Sequence, residues 1–230
     1  MGNLPSKTLI IVLWSLLPVL AMLLGLYLLN SAVWAYAIYH YVCLLPAVIL
    51  GRKMWQTELK RTTKQYFWKI TVIAIAFSGI TVLAYETLGK YVISDQKTVE
   101  LMVRMGWSKE WLWILNIYCF TINPFIEEIY WRGIVFKELE KIEKPPFKHF
   151  GIIVSSFLYA FYHYFIFRLI LYPVAAELLS IALAFYGAGL AVMYKRTGTL
   201  WSAILAHGLL TDLAVVALIF DLMNKFPGAL

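Results

Sequence analysis

Six ionisable side chains lie within otherwise apolar stretches of this sequence. They are Glu127, Glu128, Arg132, His163, His207 and Asp212. A charged side chain at the centre of a membrane helix costs roughly 2.5 to 3.5 kcal/mol on insertion scales, so such groups usually face the interior of a helix bundle and usually serve a function. A carboxylate can take a proton from water, and an imidazole can move a proton or donate to a developing anion. The set therefore indicates hydrolysis or ion transport inside a membrane.

Three of the six residues form a compact group within one predicted helix. Glu128 and Arg132 are four residues apart, the spacing at which a carboxylate and a guanidinium on one helix face form an ion pair. Glu127 points about 100° away from Glu128 around the helix, so the pair leaves it free for another task. The alternative is a purely structural ion pair with a spare glutamate at the inner membrane surface.

The histidines are ambiguous when each is taken by itself. His163 and His207 could each be a core histidine that is hydrogen-bonded to a backbone carbonyl. His40 has no acidic residue near it in the sequence, and we interpret it as a packing or helix-to-helix hydrogen-bonding residue. The chemical interpretation therefore depends on the fold bringing these side chains together.

The composition of the chain favours a membrane protein. Of its 230 residues, 62% are hydrophobic and 14% are charged, and the mean hydropathy is +0.74. Because soluble domains have about half apolar and about a quarter charged residues, an ordinary soluble domain is excluded. The net charge of +7 is not organised as a basic run interleaved with aromatic residues, which argues against a nucleic-acid partner. We expect an all-α polytopic helix bundle in contact with the lipid bilayer.

Seven apolar segments approach the length of about 20 residues that crosses a bilayer. They are 8–30, 32–50, 70–85, 111–126, 150–167, 178–194 and 200–220. The segment 86–110 is amphipathic and predicts an interfacial helix with a loop. With the N-terminus inside, thirteen Lys and Arg residues fall on the inner side and six on the outer side, while Arg132 remains within the fourth span. This bias is the one that orients membrane proteins, so it predicts seven spans with the C-terminus outside.

The predicted spans bring three ionisable groups to similar depths. At 1.5 Å per residue, Glu127 lies roughly 13 Å from the inner end of the fourth span, and His207 lies roughly 12 Å from that of the seventh. By the same rule His163 lies roughly 17 to 20 Å from the inner end of the fifth span. A purely structural bundle does not require this coincidence. We therefore predict that the three side chains converge.

The first of three ordered motifs resembles that of the CPBP family of intramembrane proteases, which includes CAAX-protein and bacteriocin-processing enzymes. The run 127–133, with Glu127, Glu128 and Arg132, resembles the EExxxR motif of that family, and the preceding Asn-Pro pair and the trailing glycine fit it too. The resemblance covers about half the chain. It divides the sequence into N-terminal spans with an interfacial segment (1–110), a CPBP-like catalytic core (111–220) and a short C-terminal tail (221–230).

The other two motifs follow on separate predicted spans. Tyr159 and His163 resemble the second motif, an aromatic residue four positions before a histidine, with tyrosine where phenylalanine is usual. His207 and Thr211 resemble the third motif, HxxxN, with threonine at the asparagine position. Asp212 follows one residue later.

The resemblance implies a role for each matching residue. Glu127 would be the catalytic glutamate that activates a water, with help from His163. His207 and Thr211 would stabilise the oxyanion. Asp212 could orient His207, whereas as an ionised oxyanion ligand it would repel the developing charge. The enzyme would be a glutamic-type intramembrane endopeptidase that needs no cofactor.

Other uses of the same residues stay open. Glu127, His163 and His207 could instead hold a hydrolytic zinc ion with one open position. The imperfect third motif leaves open a noncatalytic immunity or scaffolding protein, and intramembrane Glu and His leave open a proton-coupled or metal transporter. If the protein is a protease, we expect a membrane-associated peptide or protein substrate, such as a prenylated CAAX tail, a bacteriocin precursor or a C-terminal sorting signal. We expect it in the plasma membrane of a prokaryote.

Overall fold

The architecture is a bundle of helices, as the sequence predicts. The structure is a computed structural model that describes residues 6–60, 64–142 and 149–228. Within these ranges there is no β-strand, and β-type pairing is limited to a single bridge between Ile93 and Leu171. The all-α class is therefore confirmed. Of the basic residues predicted for the inner side, Arg61, Lys144 and Lys148 lie outside the described residues.

The N-terminal part forms the predicted hairpin of two apolar helical spans. Its helices are α1 (Ser6–Trp14), α2 (Leu17–Met22), π1 (Leu23–Leu28), α3 (Ala32–Ala37), π2 (Ile38–Leu44), α4 (Leu45–Leu50) and α5 (Arg52–Trp55). Asn30 turns the chain with a φ of 48°, and Ser31 caps α3 by accepting from the Trp34 amide at 3.3 Å. The two spans touch where Gly25 faces Ala35, since an added Cβ on this glycine would overlap the Ala35 backbone.

The next part is a long helix followed by a short amphipathic one. Helix α6 (Lys64–Val92) extends beyond the predicted end of the third span at residue 85, and α7 (Asp95–Arg104) follows it. The predicted interfacial segment 86–110 is thus shared between the end of α6, α7 and a loop. Val99 of α7 is buried while Glu100 is exposed, as expected for a helix that lies on a surface.

The predicted fourth span is interrupted. Helix α8 (Lys109–Thr121) ends before Ile122, a turn residue with a φ of −100° that separates it from the next helix. The chain then continues as α9 (Asn123–Glu128), π3 (Ile129–Phe136) and α10 (Lys137–Glu140). Pro124 is in the first turn of α9, where its missing amide hydrogen costs nothing. The segment 111–126 therefore belongs to two helices.

The C-terminal part contains three further apolar stretches. They are α11 (Phe150–Ile170), α12 (Pro173–Thr197) and a continuous run of α13 (Leu200–Ala206), π4 (His207–Asp212) and α14 (Leu213–Lys225). Gly198 ends α12 with a φ of 66°, the left-handed conformation that glycine adopts without strain. The last helix extends into the segment that was assigned to a C-terminal tail.

Six helical stretches in the described part of the chain are long and apolar enough to cross a membrane. They are Leu9–Leu28, Ala32–Leu50, Tyr66–Val92, Phe150–Ile170, Pro173–Thr197 and Leu200–Lys225. They correspond to all the predicted spans except the interrupted fourth. The protein is an integral membrane protein by this criterion, while the count of seven spans and the inside position of the N-terminus stay predictions.

Two ion pairs show that α10 and the end of α14 lie at opposite ends of the bundle. Asp95 follows α6 and pairs with Lys225 at 3.2 Å, while Glu58 precedes α6 and pairs with Lys137 at 3.0 Å. Because the 29 residues of α6 separate the two pairs by about 43 Å, they lie at opposite ends of the bundle. Helix α10 therefore lies at the end of the bundle opposite to the end of α14, and π3, which leads to α10, is buried in the core.

Candidate active site

The ionisable residues of the first motif are buried at the centre of the bundle. Relative exposure is 3% for Glu127, 0% for Glu128 and 1% for Arg132. They lie at the junction of α9 and π3, and every residue of π3 is buried. These groups thus lie in the bundle interior, as the sequence predicts.

Glu128 and Arg132 form the ion pair that their spacing predicts. Arg132 Nη1 donates to Glu128 Oε1 at 2.7 Å, and its Nη2 donates to the carbonyl of Gly187 in α12 at 3.0 Å. The guanidinium also lies over the Tyr159 ring, 4.6 Å from its centroid. This pair therefore ties π3 to α11 and α12 through buried contacts.

His207 lies among three carboxylates. Its Nδ1 is 2.7 Å from Glu128 Oε1, and its Nε2 is 3.3 Å from Asp212 Oδ1 and 3.9 Å from Glu127 Oε2. The edge of the Tyr159 ring also packs against it, with the two ring centroids 6.0 Å apart. His207 and Glu127, two of the three side chains predicted to converge, are therefore brought close together, and Glu128 lies with them.

The π-helical turn π4 decides which neighbour reaches the His207 ring. Its backbone bonds join residues five apart, as in the bond from the Leu213 amide to the Gly208 carbonyl. Asp212, five residues after His207, therefore reaches the imidazole, whereas an α-helix would align residue 211. The Thr211 hydroxyl instead donates to the His207 carbonyl at 2.6 Å. Its predicted oxyanion role would require it to leave this bond.

Glu127 is held by a tyrosine hydroxyl, and no Lys or Arg of the described residues forms an ion pair with it. The Tyr162 hydroxyl lies 3.0 Å from each of its carboxylate oxygens, so one O–H is shared between them. Tyr39 packs on Tyr162, with the two ring centroids 4.8 Å apart. Tyr39 Oη and Trp131 Nε1 are buried without a hydrogen-bond partner among the described residues.

His163 is next to the cluster with its orientation fixed. Its Nδ1 is 2.8 Å from the Tyr159 carbonyl, which can only accept, so Nδ1 carries a hydrogen and Nε2 has the free lone pair of a neutral ring. The ring packs on Tyr162 at 4.0 Å between centroids and lies within electrostatic range of His207. Within the described part of the chain, no hydrogen bond joins His163 to Glu127 or to His207.

A second set of polar residues extends the cluster toward the N-terminal hairpin. Asn123 Nδ2 donates to Asp212 Oδ2 at 3.1 Å, and Asn123 Oδ1 is 2.8 Å from His40 Nε2. The other ring nitrogen of His40 is 3.1 Å from the Tyr36 carbonyl. The interpretation of His40 as a helix-to-helix hydrogen-bonding residue is therefore confirmed.

Several of these contacts were missed by sequence reasoning. Tyr162 is adjacent to His163 and Asn123 lies just before the EExxxR run, and these positions were the available signals for both residues. Gly187 gave no signal because its part in the site is a backbone carbonyl and the lack of a side chain. An added Cβ there would lie 3.2 Å from Arg132 Nη2 and 3.2 Å from Tyr159 Cδ1.

The side chains do not fit a three-ligand metal site. Among residues 6–60, 64–142 and 149–228, no group of three or more His, Cys, Asp or Glu side chains is arranged to hold a metal ion. Both ring nitrogens of His207 already face carboxylates, and Nδ1 of His163 faces a carbonyl. We therefore derive no step through zinc.

Comparison with known proteins agrees with the three motifs. A family model described as type II CAAX prenyl endopeptidase, Rce1-like, matches residues 109–211. No curated protein and no solved structure matches the chain. The matched range contains all three motifs and ends one residue before Asp212, and His40 lies outside it. Residues 109–211 thus have the sequence signature of the Rce1-like type II CAAX prenyl endopeptidases, which confirms the resemblance to the CPBP family and supports an intramembrane protease in general.

Proposed function

We propose that this protein is an intramembrane endopeptidase in which Glu127 activates the water that hydrolyses a peptide bond. The observation that supports this most strongly is that the adjacent carboxylates of Glu127 and Glu128 have different partners. Arg132 neutralises Glu128, whereas a neutral tyrosine hydroxyl holds Glu127. Glu127 is therefore a carboxylate with remaining acceptor capacity in a dry interior, which is what a general base requires.

The reaction follows from this arrangement. Glu127 takes one proton from a water molecule, and the water oxygen forms a bond to the carbonyl carbon of the substrate. The carbonyl π electrons move to oxygen and give a tetrahedral oxyanion. When the C–N bond breaks, the proton held by Glu127 passes to the leaving nitrogen. The products are a carboxylic acid and an amine, so the step consumes one water and no other reactant.

The histidines are proposed to position the water and to stabilise the oxyanion. His163 Nε2 has a lone pair that can accept the second hydrogen of the water. His207 Nε2 is 3.3 Å from Asp212 Oδ1 and 3.9 Å from Glu127 Oε2, so its hydrogen would be shared between Asp212 and an oxyanion formed beside Glu127. A donor of this kind is worth about 10²- to 10³-fold in kcat.

The substrate class is proposed from the matched family and from the location of the site. The family name specifies prenylated CAAX termini, so such a terminus is the first substrate to test. It requires a prenylating enzyme in the same cell. Bacteriocin precursors and C-terminal sorting signals share the same chemistry, a peptide bond near a membrane-anchored hydrophobic group. The plasma membrane of a prokaryote is the proposed location.

The test uses purified protein in detergent with two fluorogenic peptides, a farnesylated CAAX peptide and the same peptide without the farnesyl group. We expect cleavage by the wild type and at least about a 100-fold loss of kcat in Glu127→Gln, which keeps the shape and removes the base. Glu177→Gln is the matched control, because this side chain is 57% exposed and far along the chain from the motifs. Equal cleavage by Glu127→Gln and wild type would exclude Glu127 as the base.

We propose that the hydrolysis needs no metal ion, and this is tested separately. Metal content and specific activity are measured on the same preparation, before and after treatment with a chelator. We expect full activity with far less than one equivalent of metal. Activity that follows zinc content in proportion would overturn the glutamic mechanism in favour of the zinc-dependent one.

A further inference from the structure

A continuous chain of buried polar contacts connects the candidate active site to the second predicted span. It runs from Asp212 through Asn123 to His40 and ends at the Tyr36 carbonyl, with polar distances of 3.1, 2.8 and 3.1 Å. The exposure of Asp212, Asn123 and His40 is 7%, 8% and 2%. At its other end, Asp212 Oδ1 is 3.3 Å from His207 Nε2.

The side chains in this series of contacts are suited to fixing one another's orientation. A carboxamide is a neutral group that presents a donor and an acceptor, so Asn123 can bridge a ring nitrogen and a carboxylate. Since Asp212 uses one oxygen for Asn123 and the other for His207, its orientation is fixed from both sides. Removal of either link would leave a buried polar group without its partner, which is costly.

His40 itself is held rigidly. Its ring lies 4.1 Å from the Tyr36 ring, 4.7 Å from the Tyr39 ring and 5.1 Å from the Tyr118 ring, measured between centroids. Its Nε2 faces Asn123 Oδ1 and its Nδ1 faces the Tyr36 carbonyl; both partners are acceptors, so a neutral ring donates to one of them, and Nε2–H is the donor that the bond to Asn123 requires. A residue needed only for packing in an apolar bundle would not require a directional bond that leads across to another helix.

We propose that His40 and Asn123 are positioning residues that hold Asp212 against His207 and thereby set the orientation of the imidazole. This rests on the proposed function, and it extends the working site to the N-terminal hairpin, outside the range that matches the family. The chain from His40 to His207 then explains why three polar side chains on three helices are buried together. It also gives a role to the π-helical turn π4, because a step of five residues brings Asp212 to the imidazole of His207.

The experiment compares two substitutions of His40, one that lacks a hydrogen-bond donor to Asn123 and one that supplies it. His40→Phe keeps a ring within the aromatic cage and removes the bond to Asn123, while His40→Gln can place an amide N–H near the position of Nε2. With the farnesylated peptide as probe, we expect His40→Phe to lower kcat about tenfold with KM changed less than about twofold. We expect His40→Gln to restore kcat to within about threefold of wild type. Melting temperatures of both variants are measured in the same detergent.

A second readout does not depend on proteolysis. In protein labelled with ¹⁵N-histidine, the Nε2 signal of His207 reports its bond to Asp212. We expect this signal to be displaced in His40→Phe and in Asn123→Leu and retained in His40→Gln. The control is His149→Asn, which removes an exposed imidazole at the start of α11 and should leave the His207 signal in place.

The outcomes separate this inference from the proposed function. If no peptide is cleaved by the wild type but the His207 signal moves as expected, the proposed function fails and the positioning chain stands. If His40→Phe keeps the wild-type His207 signal and the wild-type kcat, the inference is overturned. Should His40→Phe not fold, Asn123→Leu takes its place, and an unchanged His207 signal in that variant would overturn the inference equally. A lower melting temperature with both readouts at wild-type values would show that His40 serves packing alone, which also overturns it.

Discussion

Nδ1 of His207 and Oε1 of Glu128 lie 2.7 Å apart, and this same carboxylate oxygen accepts the 2.7 Å bond from Arg132. The guanidinium and the imidazole therefore share one acceptor. The ion pair of the EExxxR run thus does more than link α9 to π3, because its carboxylate also orients a histidine of π4. The other oxygen, Oε2, is buried without a partner among the described residues.

The shared acceptor predicts the effect of removing Arg132. Arg132→Ala would leave Glu128 buried without its guanidinium, and breaking a buried pair in this way typically costs about 3 to 5 kcal/mol. We expect a clear fall in melting temperature and in the yield of folded protein. The control is Arg168→Ala, whose partner Glu177 is exposed and 3.7 Å away, so it should cost about 1 kcal/mol or less. Equal melting temperatures for the two variants would contradict the structural pair.

Tyr162 offers a test of how Glu127 is held. Tyr162→Phe removes the hydroxyl that lies 3.0 Å from both carboxylate oxygens, and a hydrogen bond to a charged group contributes about 1.5 to 3 kcal/mol. We expect kcat to fall by about 10- to 100-fold with the farnesylated peptide. Tyr164→Phe, two residues along the same helix, is the matched control. Retention of wild-type kcat in Tyr162→Phe would show that Glu127 is positioned by other contacts.

Gly187 is predicted to tolerate no side chain. In Gly187→Ala the new Cβ would lie 3.2 Å from Arg132 Nη2, and this guanidinium cannot retreat because its hydrogen bonds fix it. We expect a loss of stability and of activity together. Gly189→Ala in the same helix has open space around the added carbon, so helix propensity should make it neutral or more stable by up to about 1 kcal/mol. The measurement is the melting temperature of each variant. Equal melting temperatures for Gly187→Ala and Gly189→Ala would contradict the tight contact between Gly187 and Arg132.

Asp212 and Thr211 can be distinguished by isosteric substitution. Because Asp212 faces His207 and Thr211 donates to a backbone carbonyl, we expect Asp212→Leu to lower kcat by about tenfold or more. We expect Thr211→Val to lower kcat less than about threefold, since a hydroxyl bonded to the carbonyl four residues back adds little to a helix. Loss of activity in a folded Thr211→Val variant would instead establish Thr211 as the donor implied by the third motif.

The sequence alone was sufficient for the class of fold and for the burial of Glu127, Glu128, Arg132 and His207 in the interior. Long apolar segments that lie in lipid form helices, because a helix hydrogen-bonds the N–H and C=O groups of its own backbone. Costly ionisable residues at membrane depth pointed to the interior, and the pair of Glu128 and Arg132 followed from the geometry of an α-helical turn. These inferences hold because they depend on local periodicity and on burial energies.

The tertiary structure decided what local periodicity cannot. The α-helical period predicts Thr211 beside His207, and a π-helical turn brings Asp212 there instead. The same limit applies to Asn123 and His40, which are separated by 83 residues and meet only because two helices pack side by side. Hydrogen bonds between helices depend on rotation and depth to within a fraction of an ångström, and a pattern along one chain does not specify either. The sequence therefore determined which groups are buried, and packing determined which of them touch.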